Sequence, residues 1–330
     1  MATVTNQSGV VVFKRDIDFE PPPIVHERLG TPKEKLVRPI NISPRHWRRR
    51  YLLWSKFDQG IQMDPEAWFE VTPENIAEYI AHRSISKTVI HDCCCGVGGN
   101  SIQFALKGLN VQAVDLNAAR LEMLRRNALI YGVSDSIRPI NRDVFDYLHA
   151  QPESRACDQV FFMSPPWGGE VSNTKSVISV DDLPINLRRI LPLALAKFGA
   201  CILHLPKQFL LEDIFSILHM EGVYYVEVES IYYAKPVRHL KCHLVYVESP
   251  HTARSSLLIG PWHYGMRYLF PFVQRDRFSP IYANALLKMH YFGRYVLRSL
   301  DTIRGKKGFA NGIQDLRSPV NKDQTKLFWE

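Results

Sequence analysis

The middle of the chain shows the hydrophobic pattern of strands alternating with helices. Short runs rich in β-branched and aromatic residues alternate with longer segments in which apolar residues lie three and four positions apart. The predicted strands are 88–91, 111–114, 137–140, 159–163, 200–205, 223–231 and 243–247. The predicted helices are 100–107 and 118–131, with two more around Leu187 and Leu210. This order predicts an α/β fold with a mostly parallel sheet that is covered by helices on both faces.

The segments that flank this alternating region have a different composition. The first 40 residues combine charged side chains with the three prolines Pro21–Pro23 and show little periodicity, so we expect a mobile arm. A helix is expected to start at Pro73 with Thr72 as its N-cap. The predicted organisation is a mobile arm (1–40), a helical N-terminal extension that contributes to the active site (41–87), a core (88–250) and a C-terminal extension of unknown role (251–330), with a helix near 282–300.

Composition and charge narrow the class of protein without identifying its chemistry. The chain has 41 Lys and Arg against 33 Asp and Glu, a formal net charge of +8, which is compatible with an anionic partner such as nucleic acid. No apolar run approaches the roughly 20 residues that span a bilayer, and the N-terminus has no apolar signal core, so an intracellular location is expected. Three of the six cysteines are adjacent and none forms a C-x2-C pair, so no metal site is expected.

The first candidate motif is a glycine-rich turn at residues 92–100, with the sequence D-C-C-C-G-V-G-G-N. Glycines at a strand-to-helix turn let a ligand approach the backbone, and the helix N-terminus offers free N–H groups. The spacing of Gly96 and Gly98 differs from the dinucleotide pattern G-x-G-x-x-G, and Asp92 suits a positively charged amino-acid moiety better than a pyrophosphate. Asp115, at the end of the next strand, can hold both ribose hydroxyls of an adenosine. Because any α/β protein uses glycine at tight turns, the turn alone does not identify a ligand.

Asp143 follows the third predicted strand and allows two interpretations. Its carboxylate can accept a hydrogen bond from an adenine amino group, or it can cap the helix that follows. The sequence leaves both interpretations open.

The second candidate motif is Ser164-Pro165-Pro166-Trp167-Gly168-Gly169, directly after an apolar strand. The prolines fix the backbone, so the Pro165 carbonyl and the Ser164 hydroxyl can both accept from an –NH2 group held in one orientation. Trp167 can stack on the base that carries the amine. The alternative is a rigid turn with a packed indole. The position of the motif, after the fourth strand that follows the extension, favours the first interpretation.

Together with upstream segments, the two motifs resemble the catalytic domain of the trimethylguanosine synthase family. The resemblance covers roughly 45–247 and keeps the order of the motifs: Trp54-Ser55-Lys56-Phe57-Asp58, Trp68-Phe69-Glu70-Val71-Thr72-Pro73-Glu74, the glycine turn, Asp115, Asn127 with Tyr131-Gly132, and Ser164–Gly169. It implies a Rossmann-like S-adenosylmethionine-dependent methyltransferase fold. It also implies transfer of methyl groups from S-adenosyl-L-methionine to N2 of 7-methylguanosine caps, giving 2,7-dimethyl or 2,2,7-trimethyl caps.

The resemblance also implies roles for individual residues. The donor-binding set is Phe69, Thr72, Asp92, Gly96, Gly98, Asn100, Asp115 and Asp143. The set at the methylated guanine is Ser164, Pro165 and Trp167, and the remaining substrate contacts are Arg45, Trp54 and Lys207. Arg45 stands where the family has a lysine and Lys207 where it has an arginine; the second exchange loses bidentate phosphate recognition. Cys93 and Cys94 depart from the small or apolar residues that the family usually has in the turn.

Two other functions fit the same motifs. The enzyme could methylate an internal guanine or adenine amine of RNA or DNA, or the chain could bind caps without catalysis. Capped small nuclear or nucleolar RNA is the partner that the resemblance implies, which favours the nucleus over the cytoplasm. The basic cluster Arg45 and Arg48–Arg50 is expected to contact RNA, whereas the histidines, His204 among them, are expected to serve packing, and no general base is assigned.

Overall fold

The computed structural model describes residues 3–7, 10–19, 37–152, 158–167, 175–221, 224–234 and 237–249. Contacts divide the chain into two units, Met1–Leu269 and Phe270–Glu330, and all described residues belong to the first. The helix predicted near 282–300, the C-terminal extension and the two glycines of the second motif, Gly168 and Gly169, lie outside the described residues.

The described strands form one nine-stranded sheet. They are β1 (Thr3–Gln7), β2 (Val10–Phe19), β3 (Val89–Cys93), β4 (Asn110–Asp115), β5 (Ile137–Asn141), β6 (Gln159–Met163), β7 (Ala200–Pro206), β8 (Tyr224–Tyr233) and β9 (His239–Glu248). Their order in the sheet is β1-β2-β8-β9-β7-β6-β3-β4-β5. Five neighbouring pairs are parallel, while β1 runs antiparallel to β2 and β9 runs antiparallel to both its neighbours. The mostly parallel α/β sheet expected from the sequence is therefore confirmed.

The helices lie before and between these strands. They are α1 (Pro44–Arg48), α2 (Arg50–Leu53), α3 (Ala67–Glu70), α4 (Glu74–Arg83), α5 (Gly99–Leu106), α6 (Ala118–Tyr131), α7 (Val144–His149), α8 (Leu187–Phe198) and α9 (Leu211–Glu221). Short 3-10 turns occur at Phe57–Gln59, Ser134–Ser136 and Val180–Asp182. None of the helices in the described ranges is both long and apolar enough to cross a bilayer.

The strand order places the two sequence motifs side by side. The chain leaves β3 toward β4 and β5 on one side, and continues through β6 and β7 on the other. Because β3 and β6 are parallel neighbours, with Cys93 paired to Met163, their carboxyl ends meet at one edge of the sheet. The glycine turn follows β3 and the S-P-P-W turn follows β6. This is the switch point at which open α/β sheets bind ligands.

The N-terminal segment differs from the mobile arm that the sequence predicted. Residues 10–19 form β2, which pairs in parallel with β8 over its whole length. Val12 is buried in the core on one face of the sheet, and Ile17 and Phe19 pack against the core on the other. The difference arises because the strand is stabilised by a partner more than 200 positions away in the sequence, which local composition does not reveal.

An arginine on the sheet-covering helix α6 attaches the helical extension to the core. The Arg120 guanidinium pairs with Asp64 at 2.6 Å, Glu66 at 2.6 Å and Glu70 at 2.9 Å, all three from the extension. One side chain thus holds the segment that carries Phe69 and Thr72 against the carboxyl edge of the sheet.

Candidate active site

A cavity of about 340 Å³ opens at the switch point between β3 and β6. Most of its wall comes from four parts of the chain: the extension, the glycine turn, the ends of β4 and β5, and the S-P-P-W turn. Nine of the expected site residues are in its wall, namely Phe69, Thr72, Gly96, Asn100, Asp115, Asp143, Ser164, Pro165 and Trp167. Residues that are up to 98 positions apart in the sequence therefore share one cavity, as a single binding site requires.

The backbone of the glycine turn explains why glycine is needed there. Gly96 and Gly98 have φ of 55° and 95°, in the left-handed region that residues with a Cβ rarely adopt. A Cβ on Gly98 would also meet the Leu124 side chain at 2.9 Å. Gly98 is the N-cap of α5 and is not part of the cavity wall, so the structure gives it a steric role and its donor contact stays a prediction. Cys94 adopts φ of 65° in the same turn.

Asp92 lies in β3, just before this turn, and is fully buried. Its Oδ2 accepts a hydrogen bond from Ser101 Oγ, while Oδ1 has no partner among the described residues. Burial raises the pKa of Asp92 to about 7; the Ser101 hydrogen bond opposes this shift and the charge of Asp115 adds to it. A buried carboxylate oxygen without a partner is costly unless a ligand supplies a donor. Asn100, whose Oδ1 also has no partner among the described residues, lines the cavity.

Asp115 and Asp143 lie at the ends of β4 and β5. Asp115 Oδ2 accepts from the Gly96 N–H at 2.8 Å, so the carboxylate stabilises the turn while it remains partly exposed in the cavity. Asp143 accepts from the N–H groups of Phe145 and Asp146 at 2.7 and 3.3 Å, which makes it the N-cap of α7. The capping interpretation of Asp143 is thus confirmed, and the adenine contact stays a prediction.

His204 of β7 contacts two residues of the S-P-P-W turn. His204 Nδ1 lies 3.1 Å from Ser164 Oγ, and the Trp167 ring meets the imidazole edge-on with centroids 5.0 Å apart. Trp167 Nε1 is buried and has no partner among the described residues. Pro165 is buried, so the turn is held on both sides and its acceptors keep one direction.

Thr72 does not cap α4 as the sequence predicted. The N-cap of that helix is Pro73, without a side-chain hydrogen bond. The Thr72 hydroxyl instead lies 3.3 Å from His204 Nδ1 and accepts from Asn100 Nδ2 at 3.1 Å. The extension therefore contributes a hydroxyl to the cavity because two partners from the core outweigh a local cap.

Trp54 is the expected substrate contact that the structure places elsewhere. Its side chain is 1% exposed, and its Nε1 donates to Met63 Sδ at 3.2 Å. It packs beside Tyr131 in the core and is not part of the cavity wall. The expectation that Trp54 contacts the substrate is corrected: an indole in this motif is needed to pack the extension against α6.

Arg45 and Lys207 lie outside the cavity wall, in a basic cluster with Arg49 and Lys241. Lys207 follows β7 and Lys241 lies in β9, on the neighbouring antiparallel strand. Burial, followed by the positive charges of Arg49, Lys207 and Arg45, lowers the pKa of Lys241. These three cations therefore lie near Lys241 and form a region of positive charge with it.

The cavity also contains residues that sequence reasoning missed. Glu70 and Arg120 form an ion pair in its wall, and burial raises the pKa of Glu70. Pro184 and Ile185 enter from the segment before α8. Glu70 lies in the Trp68–Glu74 motif and Arg120 lies five residues after Asp115, so both carried a weak signal. No local pattern pointed to Pro184 or Ile185.

The three adjacent cysteines of the turn are buried or half-buried. Cys93, Cys94 and Cys95 are free thiols, and burial raises the pKa of each. Within the described ranges, no group of three or more His, Cys, Asp or Glu side chains is arranged to hold a metal ion.

The sequence of the chain is similar to one protein family and to several curated proteins. Residues 87–249 match the family described as RNA cap guanine-N2 methyltransferase. Trimethylguanosine synthase of Schizosaccharomyces pombe is 38% identical over 143 residues, covering 42% of this chain and 59% of that protein. The Saccharomyces cerevisiae protein of the same name is 32% identical over 170 residues, covering 49% of this chain and 54% of its own length. The chain thus spans little more than half the length of these curated relatives.

Among solved structures, a SAM-dependent methyltransferase from Agrobacterium tumefaciens is 17% identical to the chain, with a TM-score of 0.42. The match covers 55% of this chain and 64% of that one.

Proposed function

Residues 87–249 match the family described as RNA cap guanine-N2 methyltransferase, and on this premise we propose that the chain transfers methyl groups from S-adenosyl-L-methionine to N2 of 7-methylguanosine caps. The observation that carries the proposal is the adjacency of two turns. The glycine turn after β3 and the S-P-P-W turn after β6 line the same cavity of about 340 Å³. A donor and an acceptor held there would face each other across the sheet edge.

The donor half of the cavity fits S-adenosylmethionine. Asn100 Oδ1 in the cavity wall is an unpartnered acceptor for a cationic amino group. Asp92 Oδ1, which is buried just before the glycine turn and is not itself part of the wall, is a second one, and Asp115 is an acceptor for ribose hydroxyls. S-adenosylmethionine, when bound, supplies a methyl group on a positively charged sulfur. The protein then has to hold the acceptor amine in line, because proximity and alignment provide most of the rate enhancement.

The acceptor half fits a methylated guanine. Ser164 Oγ and the Pro165 carbonyl accept from the exocyclic amine, while Trp167 stacks on the base. A 7-methylguanine is cationic, so its stacking on an indole gains a cation–π interaction of roughly 0.5–2 kcal/mol. The indole therefore supplies a physical reason to prefer a capped guanosine over an unmethylated one.

The basic cluster of Arg45, Arg49, Lys207 and Lys241 fits the phosphates that follow the cap guanosine. Phosphate contacts of this kind provide affinity that weakens as the salt concentration rises. We propose small nuclear and nucleolar RNAs as the capped substrates, and therefore the nucleus as the place of action.

Mass spectrometry of dinucleotides incubated with the protein and S-adenosylmethionine tests the proposed reaction. We expect the 7-methylguanosine-capped dinucleotide to gain one or two methyl masses, and the unmethylated guanosine-capped dinucleotide to gain none. The two dinucleotides differ only in the N7 methyl group. The result therefore tests both the methyl transfer and its requirement for the positive charge of 7-methylguanine.

Other outcomes would replace the proposal. Equal methylation of both dinucleotides would contradict the proposed selection of 7-methylguanine by its positive charge. Methyl gain only on uncapped structured RNA or on DNA would identify an internal guanine or adenine as the target. If the protein binds the donor and binds caps tightly but adds no methyl group to any of these substrates, the result would favour a cap-binding protein without catalysis.

Donor affinity should depend on pH through Asp92. Because burial raises the pKa of this carboxyl to about 7, the free protein is largely protonated there below pH 7. A cationic amino group binds the ionised form, so each donor bound below pH 7 displaces one proton. The dissociation constant of S-adenosylmethionine should therefore rise by roughly 15-fold in total as the pH falls from 7 to 5.5, with the slope approaching tenfold per pH unit at the lower end. Isothermal titration calorimetry at several pH values measures this dissociation constant.

Asp92→Asn provides the control for this pH dependence. The variant cannot ionise at this position, so its donor binding should be weaker at pH 8 and nearly constant from pH 8 to 5.5. If the wild-type constant does not change over this range, or if the variant keeps the same slope, Asp92 is not the group that pairs with the donor.

A further inference from the structure

His204 occupies the junction between the donor half and the acceptor half of the cavity. Its Nδ1 lies 3.1 Å from Ser164 Oγ, on the acceptor side, and 3.3 Å from Thr72 Oγ1, on the donor side. The imidazole also meets the Trp167 ring edge-on, with centroids 5.0 Å apart. One side chain thus contacts three residues of the cavity wall without belonging to that wall itself.

The imidazole of His204 is neutral at physiological pH. It is 2% exposed, and burial lowers its pKa to about 4. A neutral imidazole has one nitrogen that donates and one that accepts. With Nδ1 as the accepting nitrogen, a neighbouring hydroxyl must direct its hydrogen toward the ring.

We propose that His204 is a positioning residue for the methyl transfer: Nδ1 accepts the hydroxyl hydrogen of Ser164 and thereby turns the Ser164 lone pairs toward the acceptor amine. This inference rests on the proposed function, because that function identifies the exocyclic amine as the group that donates a hydrogen bond to Ser164 Oγ. A freely rotating serine hydroxyl would donate as readily as it accepts, and donation toward the amine would occupy the lone pair that has to attack.

The same contact gives the released proton a destination. As the amine nitrogen forms its bond to the methyl carbon, the carbon–sulfur bond breaks and its electron pair stays on sulfur. The nitrogen becomes positively charged, and its N–H proton passes to Ser164 Oγ. The hydroxyl proton of Ser164 moves to His204 Nδ1 at the same time. The proton returns to solvent through Ser164 when the product leaves, so the residues end as they began.

A second serine–histidine pair in the sheet provides a matched comparison. Ser230 Oγ lies 3.1 Å from His243 Nδ1, the same separation as in the Ser164–His204 pair. His243 is also buried, and burial lowers its pKa, but neither residue of this pair lines the cavity. Loss of the second imidazole reproduces the loss of a buried, hydrogen-bonded histidine without touching Ser164.

The experiment is a double-mutant cycle on the turnover of a 7-methylguanosine-capped dinucleotide. The variants are Ser164→Ala, His204→Phe, the double variant, His204→Asn and His243→Phe. If His204 acts through Ser164, His204→Phe lowers kcat at least tenfold with little change in KM, and the double variant is no slower than Ser164→Ala, within about threefold. Asn places Oδ1 as many bonds from Cα as Nδ1 of His, so His204→Asn should restore part of the lost kcat. His243→Phe should keep kcat within about threefold of wild type.

Several results overturn the proposal. The first is a kcat of His204→Phe within threefold of wild type. The second is a double variant whose fold-loss in kcat is the product of the two single fold-losses, and the third is an equal fold-loss in His204→Asn and His204→Phe. Each result would show that His204 only packs against Ser164.

Nitrogen-15 NMR of the histidine side chains tests the same hydrogen bond without activity. Nδ1 of His204 should carry no proton, and its resonance should move in the Ser164→Ala variant. A protonated Nδ1 in the neutral ring overturns the inference even in an active enzyme. Conversely, a wild-type protein that shows the expected Nδ1 signal but methylates no cap contradicts the proposed function and leaves the hydrogen bond established.

Discussion

Replacing Trp167 with alanine should lower kcat/KM for a 7-methylguanosine-capped dinucleotide by about 100-fold or more. Stacking of a base on an aromatic side chain contributes roughly 1–3 kcal/mol, and the cation–π interaction of a positively charged base adds about 0.5–2 kcal/mol. The indole also supports the turn that carries Ser164, so its loss misplaces the amine acceptors as well. Initial rates followed by mass spectrometry of the product measure the effect.

Two controls separate base recognition from folding and donor binding. Trp167→Phe keeps an aromatic face and should retain activity within about tenfold of wild type, since phenylalanine supports stacking but a weaker cation–π interaction. Calorimetric binding of S-adenosylmethionine should change by less than about twofold in both variants, because the donor contacts are on the other half of the cavity. Wild-type turnover in Trp167→Ala would exclude the indole from substrate binding.

Replacing Arg83 with methionine should lower the free energy of unfolding by about 3–5 kcal/mol. Arg83, at the end of α4, pairs with Glu227 at 2.8 Å and with Glu229 at 3.5 Å. Both glutamates are on β8 and are at most 2% exposed. Arg15 of β2 pairs with the same two carboxylates. Two arginines therefore balance two buried glutamates, and loss of one arginine leaves a buried negative charge without compensation.

Urea unfolding followed by far-UV circular dichroism measures this loss. Methionine keeps the helix propensity and much of the volume of arginine, so the variant removes mainly the charge. In the double variant Arg83→Met with Glu227→Gln, one cation and one anion are lost together, and part of the stability should return.

Arg238 is the matched control because it also pairs with two carboxylates of one strand, but on the surface and on β2, the neighbour of β8. It contacts Asp16 at 3.0 Å and Asp18 at 2.7 Å, and its side chain is 44% exposed. Solvent screening leaves exposed ion pairs with little net stabilisation, so Arg238→Met should change the free energy of unfolding far less than Arg83→Met does. A similar loss in both variants would show that burial of the ion network does not decide its contribution.

The core of the fold was predicted correctly because its signals are local, and most of the proposed site residues lie in the wall of one cavity. Each core strand is a short apolar run bounded by turn residues, and Gly96 and Gly98 are required by left-handed backbone in one turn. Asp115 is at the strand end where the sequence placed it. The alternation of strands and helices also predicts that parallel strands end at the same edge of the sheet, whereas the adjacency of β3 and β6 is known only from the structure.

Other features were missed or misjudged because they depend on distant partners. β2 gains its stability from β8, and Trp54 is buried because it packs beside Tyr131 in the core. The Thr72 hydroxyl was assigned to a local cap, but the fold brings it within reach of His204 and Asn100. No window of sequence contains both members of these pairs.

The sequence by itself determined the alternation of strands and helices, the two turns and the residue types that suit a methyl donor and a planar amine, since each depends on neighbours within a few positions. The tertiary structure decided which of these side chains face the cavity and which lie in the core. It also decided the ionisation of Asp92 and His204, because burial shifts their pKa values to about 7 and about 4. Burial is a property of the packed chain: desolvation of a charge depends on every segment that covers it, and the sequence does not specify those segments locally.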